Sequence, residues 1–204
     1  MPSSNPQHRE REIKLAADAV EVHRFNQWCF DQSPSQYLHV TGPDTYYTQG
    51  KNVLRHRQPG QGGPGELTVK RRTSKKSTKD RVEIDLRFDP RTTIDDVTRF
   101  LAATGWEPCF TVIKDCHIFW FDETKPGVEA VLYDVRCVFP NGKESKSRRF
   151  AEFEIHKADS SHPKAITTLK DWECVARDQF DFGETMTESL YEIYSGKRYL
   201  VGSL

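Results

Sequence analysis

No apolar run in the 204-residue sequence approaches the roughly 20 residues that a membrane helix needs. The opening stretch MPSSNPQHRERE also lacks the apolar segment of a signal peptide, so a cytoplasmic protein with no membrane partner is expected. Five cysteines, Cys29, Cys109, Cys116, Cys137 and Cys174, include no CxxC pair. That spacing argues against a disulfide framework and a structural zinc site, and buried reduced thiols are the simpler reading even for Cys116-His117. An excess of charge is missing as well. Lys plus Arg equals Asp plus Glu at 30 each, which removes the usual reason to expect nonspecific adhesion to nucleic acid or membrane. No repeat of fixed period occurs. The one low-complexity patch, KRRTSKKSTKD, reads as a solvated hairpin tip carrying Lys75, Lys76 and Lys79.

What is present is period-two alternation of apolar and polar residues, the mark of strands with one buried face. It predicts strands at 10–14, 53–58, 65–72, 81–88, 110–121, 128–139 and 148–156 within one domain spanning 1–204. The loop PGQGGPG and the pair Asn141-Gly142 supply turn chemistry for an antiparallel meander. Helices are expected at 18–30 behind an Asp18 cap and at 92–104 with Ile94, Val97 and Leu101 on one face. Two more are expected after Pro163, carrying Ile166, Leu169 and Trp172, and behind a Thr185/Glu188 capping box before Gly196. Residues 31–43 read as an irregular segment.

The strand faces carry the chemistry. Side chains alternate across a strand, so Glu10, Glu12 and Lys14 share a face, as do Arg55 and Arg57, then Glu66, Thr68 and Lys70, then Arg81, Glu83 and Asp85. Asp134 with Arg136, and Glu152 with Glu154, repeat the pattern. The opposite faces, with Leu67, Val69, Val82, Ile84, Leu86, Phe153 and Ile155, are expected to be buried. Two geometries satisfy this alternation: an open sheet with one wet, salt-bridged face, or a closed barrel with its charges inward. Full charges at nearly every polar position, and acids at i and i+2 that repel unless a cation lies between them, speak for the second only weakly and leave both open.

The segments EREIK (10–14), LRHR (54–57), GELTVKRR (65–72), RVEID (81–85) and FAEFEI (150–155) resemble, in order, motifs of the CYTH or triphosphate tunnel metalloenzyme superfamily. PDTYYTQ and SLYEIY resemble its intervening and closing segments. The resemblance implies an α+β, β-rich fold: a closed eight-stranded antiparallel β-barrel with a charged lumen and helices packed outside. It implies Mg²⁺ or Mn²⁺ held by Glu10, Glu12, Glu152 and Glu154 with Asp134, and phosphate held by Lys14, Arg55, Arg57, Lys70, Arg81, Lys114 and Arg136. Lys14 and Glu83 are the expected catalytic side chains. Where the family carries an arginine two residues after the lysine of its VxKxR strand, this chain has Cys116 after Lys114.

The expected function is metal-dependent hydrolysis of a small-molecule triphosphate, inorganic, thiamine or nucleoside, by a monomer or homodimer. Alternatives are cyclisation of ATP to cyclic AMP and pyrophosphate, and binding of a nucleotide or polyphosphate without turnover. Nucleic acid is not an expected partner except as an RNA 5′-triphosphate. Tyr46, Tyr47, Trp106, Trp120, Trp172 and His56 are read as packing residues, and Lys197 and Arg198 as cations suited to a helix end.

Overall fold

A computed structural model describes residues 8–50, 52–58, 65–72, 79–89 and 91–196, and the side chains of 8–10, 70–72 and 79–83 fall outside the description. The expected hairpin tip at 73–78, most of the PGQGGPG loop, Lys197 and Arg198 also lie outside it.

The strands run β1 (His8–Ala16), β2 (Gln36–Gln49), β3 (Asn52–Arg57), β4 (Glu66–Arg72), β5 (Lys79–Arg87), β6 (Glu107–Phe121), β7 (Val128–Val138) and β8 (Arg148–Ile155). All pair antiparallel in the order β1-β5-β4-β3-β2-β6-β7-β8. Because β1 also pairs with β8, through Glu12 opposite Glu154 and Lys14 opposite Glu152, the ring of strands closes. Seven strands fall where alternation put them. The eighth, β2, covers most of the segment read as irregular, where Pro43 and Gly42 interrupt the strand signal. Its thirteen-position pairing with β6 satisfies the backbone that composition left undecided.

Helices α1 (Val22–Asp31), α2 (Ile94–Ala103), α3 (Ala165–Phe180) and α4 (Leu190–Ser195) complete the fold. Asp18 does not cap α1; its carboxylate accepts from the Arg149 backbone N–H. Thr93 and Asp96 form a reciprocal capping box for α2, while Ser189 and Glu192, rather than Thr185 and Glu188, do so for α4. Thr185 instead accepts from Arg177 and lies 2.8 Å from Glu173.

The main core lies outside the barrel wall, where α1 and α3 cover Ile13, Leu15, Leu132, Phe153 and Ile155. A second cluster joins Leu54 and Leu67 to Val97 and Leu101 of α2. His56 is buried beside the Tyr47 and Phe88 rings, a packing residue as expected. On β5 the expectation fails: Ile84 and Leu86 face outward but are 44% and 58% exposed, since none of the described helices covers that strand. Among the described residues no helix is long and apolar enough to cross a membrane. All five cysteines are free.

Candidate functional site

Eight strands with one inward face each enclose a cavity of about 750 Å³. Glu12 and Lys14 reach it from β1, Arg55 and Arg57 from β3, Lys114 and Cys116 from β6, and Glu152 and Glu154 from β8. So seven expected site residues, Glu12, Lys14, Arg55, Arg57, Lys114, Glu152 and Glu154, line one space, although they come from four separated segments. Glu10, Lys70, Arg81 and Glu83 have no described side chains; their backbones place Glu10 opposite Arg81 and Lys70 opposite Glu83 in the strand register.

Asp134 and Arg136 require correction. Both lie on the outer face of β7: Asp134 pairs with Arg149 at 3.0 Å, and Arg136 with Glu144. The inward face of that strand is Glu129, Val131 and Tyr133. The slip arises because the outer positions of β7 mix Ala130 and Leu132 with charges, so polarity alone picks the wrong parity. Several lumen residues carry no expected site role, among them Asp44, which lies in PDTYYTQ just past the segment read as irregular, Glu129, a lone acid among apolar neighbours, and Trp120, expected in the core. The signal for Glu129 was Glu129-Ala130-Val131, which continues the inward register of β7 to its first residues.

The interior charges are paired with one another. Asp44, 3% exposed, faces Arg57 at 3.1 Å and Lys114 at 2.9 Å. Burial alone would raise its carboxyl, but Lys114, Arg57 and Arg55 together hold it far below the usual carboxylate range. Arg57 is correspondingly raised by Asp44. Arg55 reaches Glu66 at 3.2 Å and donates to Thr68 at 2.9 Å, and Thr68 Oγ1 lies 2.9 Å from Asp85. Lys14, also 3% exposed, pairs with Glu152 at 2.8 Å, and Tyr133 donates to the same carboxylate at 2.9 Å. Burial pushes the Cys116 thiol up to about 11, against the pull of Lys114 and Arg57, so it stays neutral at pH 7 and adds no charge where an arginine was expected.

Carboxylates gather on one wall. Glu12 of β1 stands opposite Glu154 of β8, which stands opposite Glu129 of β7, so three acids occupy neighbouring positions of one row. Directly opposed side chains lie about 5 Å apart, and like charges there repel. Burial raises the Glu129 carboxyl above its ordinary value; a hydrogen bond with Trp120 opposes this and Glu152 reinforces it. Hard oxygen donors so arranged suit Mg²⁺ or Mn²⁺ in kind. Among the described residues, however, no three acid, histidine or cysteine side chains converge closely enough to hold a metal ion.

Charge balance bears on the ligand. The described lining holds Glu12, Asp44, Glu66, Asp85, Asp122, Glu129, Glu152 and Glu154 against Lys14, Arg55, Arg57, Arg87, Lys114 and Lys157. Among the described side chains acids lead by two, so this part of the wall is net negative and a cation eases the entry of an anion beside it.

One end of the interior is filled. Tyr46, Phe110, Tyr133 and Phe150 pack inside the ring with Leu190 and Tyr191 of α4, and Ser189 and Leu190 reach the cavity.

No family model matches the chain and no curated protein is similar to it. Solved structures share its fold. One is PH1819 from Pyrococcus horikoshii, with TM-score 0.63 and 19% identity over 93% of this chain and 99% of that one. Another is PH1012 from the same organism, with TM-score 0.58 and 16% identity over 82% and 88%. A chain of the Schizosaccharomyces pombe Mediator head module matches at TM-score 0.55 and 11% identity over 87% and 100%. At such identities the likeness extends to the fold alone.

Proposed function

We propose that the barrel interior binds a triphosphate with a divalent cation and hydrolyses it, as the resemblance to the triphosphate tunnel metalloenzymes implies. The observation that supports this most is the convergence of Lys14, Arg55, Arg57 and Lys114 on one cavity that also presents the row Glu12, Glu154 and Glu129. A triphosphate carries about four negative charges at neutral pH, and the described wall already presents two more acids than cations. A Mg²⁺ or Mn²⁺ arriving with the triphosphate would offset that charge, with Glu12, Glu154 and Glu129 as the nearest carboxylates of the wall; as placed they do not converge on a metal by themselves, so the phosphates would have to complete its ligands.

The chain's own groups do the rest. Arginines offer paired N–H donors that match phosphate oxygens, so Arg55 and Arg57 exchange carboxylate partners for the ligand. Lys14 and Lys114 place point charges where negative charge builds as water attacks the terminal phosphorus. The anhydride P–O bond breaks, the leaving diphosphate keeps its electron pair, and a lumen glutamate accepts the proton from the water.

The test is phosphate release from inorganic, thiamine and nucleoside triphosphates with Mg²⁺ or Mn²⁺. Glu12→Gln is expected to lower turnover by about 100-fold at unchanged melting temperature. Full turnover in that variant would sink the assignment. Cyclic AMP with pyrophosphate as the products from ATP would show cyclase chemistry instead.

A second reading, binding without turnover, draws on Asp44. It engages two of the four cations, and Cys116 adds none, so transition-state charge is less well met than ground-state charge. The fold likeness to a chain of the Mediator head module shows that this architecture also occurs in a multiprotein assembly. Ligand-induced thermal stabilisation with no product across the substrate panel distinguishes this reading.

A further inference from the structure

The wall of the barrel has unequal heights. β2 and β6 have 14 and 15 residues, whereas β3 and β4 have 6 and 7. β2 pairs with β6 from Gln36 opposite Trp120 onward, but its pairing with β3 begins only at Asp44 opposite Arg57. Residues 36–42 and 114–120 therefore stand above the β3 rim at the cavity mouth, continued sideways by β7.

On this raised wall the usual polarity of the barrel is inverted. Midway along the barrel charges point inward and apolar groups outward, and the far end is filled by packing, but here at the mouth Leu38, Val40, Ile118 and Trp120 line the cavity. The outer face carries Tyr37, His39, Thr41, Asp115 and His117, with His39 and His117 stacked at 4.4 Å and His39 hydrogen-bonded to Asp115. Phe119 alone carries that outer face into the main core, with Tyr37 and Phe30 packed on it, whereas the inward Leu38, Val40, Ile118 and Trp120 belong to none of the buried clusters among the described residues, so core packing does not explain them. Leu38 is 40% exposed at the mouth, and the strip descends without a break to Lys114. The cavity volume of about 750 Å³ also lies in the range of about 300–1,000 Å³ that encloses whole organic ligands.

We propose that the ligand is an organic triphosphate, such as a nucleoside triphosphate, rather than inorganic triphosphate. Its non-phosphate part lies against Leu38, Val40, Ile118 and Trp120, and its phosphates run down to Lys114 and the cations below. This inference rests on the triphosphate reading above and narrows it to a substrate class. Inorganic triphosphate satisfies the charged floor but leaves the apolar strip wet, which gives up the burial that distinguishes the two ligand kinds.

The experiment is calorimetric titration of the full chain in Mg²⁺ with inorganic triphosphate, ATP, CTP and thiamine triphosphate, for the wild type and the Leu38→Ser/Ile118→Ser variant. At least one organic triphosphate is expected to bind the wild type about tenfold or more tighter than inorganic triphosphate. The double variant loses that preference while its affinity for inorganic triphosphate is unchanged. Leu38→Ser alone, at a half-exposed position, gives a partial loss and guards against misfolding of the double variant. Inorganic triphosphate binding as tightly as every organic one overturns this inference and leaves the triphosphate reading standing. Weakening of all ligands alike by Leu38→Ser also overturns it. Failure of every triphosphate to bind overturns the triphosphate reading, and this inference with it.

Discussion

The charged and the filled halves of the barrel interior are made by the same strands on the same face. On β8 the inward positions run Phe150, Glu152, Glu154; on β3 they run Val53, Arg55, Arg57; on β6 they run Val112, Lys114. Two residues along a strand carry the inward face from aromatic packing to ion pairs. Alternation thus reports which face a side chain takes, while position along the strand reports depth, and only depth separates a core from a site.

The largest expected effect breaks the filled half. Phe150 is fully buried, so Phe150→Ala should destabilise the protein by about 3–5 kcal/mol in urea unfolding. A loss below about 1 kcal/mol would show that the filled end is not core. Next, Asp44→Asn removes a buried carboxylate from two cations and should cost about 2 kcal/mol, less than a fully buried pair because the Arg57 side chain is 47% exposed. The same variant frees Arg57 and Lys114 for phosphate, so triphosphate affinity should rise as stability falls; a fall in both would make Asp44 a ligand-positioning group. The sign with pH follows from a folded carboxyl held below its unfolded value. The stabilisation is complete above about pH 4 and is lost as pH falls through the lower folded value, so melting temperature should drop less steeply in acid for Asp44→Asn than for wild type. The smallest effect sharpens the contrast between inside and outside. Asp134→Ala breaks a half-exposed pair with Arg149, should cost under about 1 kcal/mol, and should leave triphosphate binding unchanged.

Seven of eight strands are readable because apolar and charged residues alternate there, and that alternation puts Glu12, Lys14, Arg55, Arg57, Glu152 and Glu154 on the face opposite the apolar one; that this face is a lumen, and that Lys114 joins it, comes only with the family resemblance. β2 was not readable, since its partner β6 lies far away in sequence and Gly42-Pro43 breaks the local pattern. Asp44 went unnoticed with it. Asp134 and Arg136 misled because an outer face uncovered by helix tolerates charge as readily as a lumen does. The exposed Ile84 and Leu86 show the converse: an outward apolar position is buried only where a helix crosses it.

The closing seam between β1 and β8 also governs how the chain reaches this state. Glu12 meets Glu154 across nearly the whole sequence, whereas β3, β4 and β5 join near neighbours. Loop-closure entropy makes such distant pairings late events, so the ring is completed by its two sequence-remote edges after the hairpins have formed. The Glu12 and Glu154 carboxylates become neighbours only in that last step. The acidic row of the site is therefore built by the same pairing that closes the barrel.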